Sequence, residues 1–121
     1  MRLIGLAVLA PFAVAAAPPV DGSTRDDVRC LVAVVSLTAS EDTEVKLAGL
    51  LGSQYFLGRI DGRDPDLDIE AAIRQEQSHL DEAEISSLLR SCGQLMQDRG
   101  EALEAIGNRL DQDQAPSSPA T

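Results

Sequence analysis

Asp64, Asp66 and Asp68 alternate along the short segment DPDLD, the spacing of the first three ligands in a calcium loop of the EF-hand kind. Such a loop also needs a glycine at its sixth position, for a sharp turn, and a bidentate glutamate at its twelfth. Counted from Asp64, those places hold Ile69 and Gln75. Both geometry-setting positions fail. The carboxylates are expected instead to cap and charge the start of a helix, where free backbone N–H groups and the helix dipole favour them.

Other chemistry-bearing side chains are few. His79 is the single histidine, so it cannot build a histidine-based zinc site, and the segment SHLD around it reads as an exposed turn. No serine sits in a nucleophile elbow, and no glycine-rich phosphate loop follows a strand. With 20 acidic residues, carboxylate pairs arise by chance, and nothing marks one as a general acid and base. No metal or cofactor motif is present. A hydrolytic or metal-dependent enzyme is the reading these residues support least, and the chain is expected to be non-enzymatic.

Cys30 and Cys92 are the two cysteines. In an oxidising compartment an isolated pair is most simply a disulfide. The alternative, a reactive thiol or redox centre, lacks a Cys-x-x-Cys pattern or a basic neighbourhood. The compartment is read from the N-terminus. Arg2 gives a positive start, Leu3 to Ala17 is apolar, and AVAAA supplies small residues, which together read as a secretory signal peptide. Cleavage after Ala16 keeps small residues at the recognised sites and avoids Pro18 at the new N-terminus. As a membrane anchor the run is too short, since about 20 apolar residues are needed to span a bilayer. Periplasmic or secreted localisation follows, with no stable membrane insertion once the signal is removed.

Loss of Arg2 leaves 9 of the 10 basic residues against 20 acidic ones, a net charge of −11. Such a chain repels nucleic acid and anionic lipid surfaces, and an acidic exterior also favours solubility.

The elements that must hold these residues are helical. Residues 17–23 form a proline-containing leader. Ser23 or Thr24 is the expected cap of a first helix over 25–38, with Asp26 and Asp27 in its first turn. Val28, Leu31, Val32 and Val35 recur at helical spacing, and Cys30, Ala33, Val34 and Leu37 fill much of the remaining surface, as in a central helix. A second helix over 41–61 starts after Ser40, carries the line Leu47, Leu51 and Tyr55 as its expected core face, and has small residues at Ala48, Gly49 and Gly52 where a neighbour can approach. Gly62 is its expected stop. Asp64-Pro65 opens a third over 65–77. Asp81 and Glu84 make a capping box for the last, over 82–110. There Leu89, Met96, Leu103 and Leu110 recur every seven residues, with Ile85, Cys92 and Ile106 beside them. Gly93, Gly100 and Gly107 share that period. Because each glycine costs up to about 1 kcal/mol against alanine in a helix, they imply either a close neighbour along that edge or a break near Gly100. Residues 112–121 read as a disordered tail.

The predicted architecture is an all-α bundle of four helices over 24–111, with a disulfide from the first helix to the last. Four residues remain as a candidate interaction surface. Arg99 falls on the apolar stripe of the last helix, where it either lays its stem over apolar surface or waits for a partner's carboxylate. Phe56 is either core or an exposed anchor beside Arg59 and Arg63. The partner implied is another protein.

In outline the chain resembles the Hde-type periplasmic acid-stress chaperones, which are small, exported, acidic and helical, with one disulfide between distant helices. The resemblance rests on the signal, the size, helicity and the Cys30 and Cys92 pair. It implies a domain that loosens at low pH and exposes apolar surface to unfolding clients, an acid response that lost carboxylate interactions would drive. A second likeness is to the small helical immunity proteins of toxin–immunity pairs.

Overall fold

The computed structural model describes residues 22–116. The expected signal peptide, most of the expected leader and the last five residues lie outside the described residues. The described chain is helical, with α1 over Gly22–Ser36, a 3-10 turn over Leu37–Ala39, α2 over Thr43–Arg63, α3 over Ile69–Gln77 and α4 over Glu82–Gln114. The four helices and the absence of strands among the described residues are as the periodicity predicts.

α1 is the hub on which α2, α3 and α4 each pack. Its sequence makes this possible. Val28, Cys30, Leu31, Val32, Ala33 and Val34 are all buried, so the helix offers apolar surface on several sides at once. The core closes with Phe56 and Ile60 from α2 and Cys92 from α4, against partly buried Leu67, Ile69, Ile73, Leu88, Leu89, Leu95 and Met96. The Cys30–Cys92 disulfide, with Cα atoms 5.7 Å apart, ties α1 to α4 as expected.

Glycines, rather than leucines, bring α2 to α1. A Cβ added at Gly49 would stand 2.9 Å from both Leu37 Cβ and the Val34 carbonyl oxygen, and one at Gly52 would stand 3.2 Å from Val34. The buried face of α2 is therefore Gly49, Gly52, Phe56 and Ile60. This corrects the expectation that Leu47 and Leu51 lead into the core. At about 100° per residue they fall on the far side of the helix, and they are 53% and 59% exposed.

Helix ends follow capping chemistry, with some displaced by a few residues. Asp42 caps α2, accepting from the N–H groups of Glu44 and Val45, while Ser40 takes the Asp42 N–H instead. α2 runs through Gly62 to Arg63 without a left-handed residue, and its last turn closes as the Asp64 N–H donates to the Ile60 carbonyl. Pro65 does not open α3. It sits in a turn closed by Leu67 N–H to Asp64 O, a position suited to its fixed φ. Asp68 then caps α3 through the Ala71 N–H. The capping box at Asp81 and Glu84 forms in both directions. α1 begins at Gly22, so Thr24 lies inside it and Asp27 lies beyond its first turn.

α4 is unbroken through Gly100 and extends to Gln114, so residues 112–114 of the expected tail are helical. Beyond the adjoining residues and the helix's own local backbone, nothing among the described residues comes within 4 Å of a Cβ built at Gly93, Gly100 or Gly107. The neighbour those glycines suggested is not another helix of the same chain.

Candidate interaction surface

Among the described residues two carboxylates are buried, and each faces a pair of arginines four residues apart. Asp27, 2% exposed on α1, accepts from Arg59 Nε at 3.0 Å and from Arg63 Nη1 at 2.8 Å, both on α2. Glu76 on α3 is 4% exposed and accepts from Arg25 Nε of α1 at 2.8 Å. Its second oxygen faces Arg29 Nε at 3.6 Å, close enough for charge attraction but too far for a hydrogen bond. The arginine spacing places both guanidinium groups on one helix face, where they converge on a single carboxylate. Fork-shaped donors suit that geometry better than lysine would.

Arg59 also donates from Nη1 to the Tyr55 hydroxyl at 3.2 Å, and its guanidinium lies 5.6 Å from the centre of the Tyr55 ring. Burial works against the Arg59 charge, but the hydrogen bonds and charges of Tyr55 and Asp27 outweigh it, so its pKa lies above the ordinary arginine value. The Tyr55 ring meets Phe56 edge-on with centroids 5.0 Å apart.

These contacts redistribute the surface suggested by the sequence. Phe56 is fully buried and is core, not an anchor. Arg59 and Arg63 spend their donors on Asp27, so the three do not present a joint exposed patch. Arg99 stands apart on α4, exposed, with no ion pair among the described residues. Of the calcium-like triplet, Asp64 ends α2 and Asp68 caps α3. His79 is exposed in the turn before α4, with its N–H on the Glu76 carbonyl. Among the described residues, no three His, Cys, Asp or Glu side chains converge as a metal-ligand set.

The ion pairs around α1 were not anticipated. Their signal is present in the sequence as two i, i+4 arginine pairs, Arg25 with Arg29 and Arg59 with Arg63, and as an acid beside the apolar run of α1. Nothing in linear spacing tells which acid lies opposite which pair.

The accessible apolar surface lies elsewhere. Leu47, Leu50 and Leu51 on the outer face of α2 are each half exposed or more, and Leu103, Ile106 and Leu110 are exposed along the last turns of α4. Single exposed leucines are ordinary, whereas clustered ones mark contact surfaces. No described helix is long and apolar enough to cross a membrane. The chain matches no protein-family model, no curated protein and no solved structure.

Proposed function

We propose that this is an exported, non-enzymatic protein that works by binding another protein, and that the outer face of α2 makes the contact. The observation that carries this reading is the group Leu47, Leu50 and Leu51, which the glycine docking of α2 turns away from the core. Glu44 and Asp61 lie on or beside that face by helical position, and the chain is acidic overall. The partner that fits is a protein with an apolar groove rimmed by basic residues, drawn in by charge and held by leucine burial. The test is capture from periplasmic extract near pH 7, with the wild-type chain and a Leu50→Asp variant as parallel baits. A basic partner retained by the first and lost by the second supports the reading. Equal retention by both baits, or no retention by either, rejects it.

The ion pairs favour a second reading, an acid-responsive chaperone. Asp27 faces Arg59 and Arg63, with Tyr55 behind Arg59, and Glu76 faces Arg25 and Arg29. These carboxylate–arginine contacts join α2 and α3 to α1, while the disulfide keeps α4 attached whatever becomes of them. Loosened helices would expose the valine-rich face of α1. An apolar dye that brightens near pH 3, together with protection of a client from aggregation, supports this role. A chain that stays dark at that pH excludes it.

A further inference from the structure

The apolar stripe of α4 outruns the bundle that covers its first half. Leu89, Met96, Leu103 and Leu110 recur every seven residues, with Cys92, Arg99 and Ile106 between them, which is the seam of a coiled coil. α1 and α4 run the same way along this seam. Cys30 meets Cys92, and Val34 and Met96, each four residues on, both flank the site where a Gly52 Cβ would stand. α1 ends at Ser36, about 9 Å of helical rise beyond Cys30. α4 continues to Gln114, about 33 Å beyond Cys92. Leu103, Ile106 and Leu110 lie in that overhang, 69%, 43% and 53% exposed.

We propose that the overhang is the interface of an antiparallel homodimer, formed by α4 packing against α4 of a second copy of this chain. Two features of the seam select that occupant and that direction. The first is charge. Arg99 lies on the seam without an ion pair among the described residues. When the helices are antiparallel and Leu103 lies against the partner's Ile106, Arg99 falls opposite the partner's Leu110, one turn from the partner's Asp113. Its stem covers the leucine while its guanidinium reaches an acid at the negative end of the partner helix. The two-fold axis makes this pair twice. A parallel pair would set Arg99 against Arg99. The acids Asp98, Glu101 and Glu104 fall outside the seam by helical position, where solvent screens their repulsion.

The second feature is the glycine edge. Gly100 and Gly107 border the seam on one side, and their surroundings are empty within the chain. In the same antiparallel register Gly100 lies on the same edge as the partner's Gly107 and within about 3 Å of it along the axis, and the two small edges let the helix backbones approach. This gives the helix-weakening glycines a packing role that the single chain does not provide.

The test is the mass of the exported, disulfide-bonded chain by light scattering up to about 100 µM, a range that detects micromolar pairing. The expected result is a dimer. Leu103→Glu with Ile106→Glu should yield a monomer of unchanged helicity, since both residues are exposed in the single chain. Arg99→Glu and Asp113→Arg should each weaken pairing about tenfold, and the two together should restore it. Spin labels at Ala105 should lie closer across the dimer than labels at Gln97 or Gln112. A chain monomeric throughout overturns the proposal, as does a dimer that survives the double glutamate variant. Failed restoration by the charge swap, or equal label distances at all three sites, overturns the antiparallel register. None of these substitutions touches the α2 face, so partner capture can fail while the dimer stands, and the reverse.

Discussion

Arg59 Nε donates to Asp27 Oδ1 across 3.0 Å, joining α2 to a carboxylate that is buried on α1. With Arg63 on the other oxygen, both acceptors of Asp27 are occupied. A buried charge of this kind is tolerable only while its partners remain. Arg59→Ala with Arg63→Ala should therefore destabilise the fold by about 3–5 kcal/mol. Asp27→Asn keeps an acceptor and releases arginines that can reach water, so its cost should be smaller, about 1–3 kcal/mol. Urea unfolding of the oxidised chain measures both, and a reversed order would contradict this account.

The same pair has a defined pH behaviour. Because the folded pKa of Arg59 lies above its ordinary value, its contribution is complete below the ordinary arginine range. That contribution is lost only as pH rises through the raised value. The stability difference between wild type and Arg59→Gln should thus stay constant from about pH 6 to about pH 9. Melting curves across that interval check it, and a steady decline toward the alkaline end would refute it.

Glycines in α2 and α4 should respond oppositely to alanine. At Gly49 the new methyl meets Leu37 and the Val34 carbonyl at 2.9 Å, and the overpacking should cost about 1–3 kcal/mol. At Gly93 it meets nothing within 4 Å, and the gain in helix propensity should add up to about 1 kcal/mol. Paired denaturation curves decide between opposite signs.

Phe56 and Leu51 separate core from surface on one helix. Phe56→Ala empties a fully buried site and should cost about 3–5 kcal/mol. Leu51→Ala, at a position 59% exposed, should change stability by no more than about 0.5 kcal/mol. A large loss at Leu51 would mean that α2 docks by its leucines after all.

Reduction tests the staple. Cys30 and Cys92 are separated by 62 residues, and a loop of that length is worth about 4 kcal/mol in the chain-entropy account. Cys30→Ala with Cys92→Ala should lower unfolding stability by about that amount. A loss below about 1 kcal/mol would show that α4 holds to α1 without the crosslink.

Periodicity, capping residues and cysteine count were enough to determine four helices, the central place of α1, the capping box at Asp81 and Glu84 and the disulfide pairing. These depend on local chemistry, or on there being only two cysteines to join. Which face of α2 points inward was a tertiary decision. Hydropathy favoured Leu47 and Leu51, but the glycines permit backbone contact that the leucines would obstruct, and closeness to α1 turned the leucines outward. The arginines illustrate the same divide. Their i, i+4 spacing is written in the chain, yet only the crossing of α1 with α2 and α3 assigns Asp27 to one pair and Glu76 to the other. A linear pattern fixes what shares a helix face, and the contact between helices fixes what that face meets.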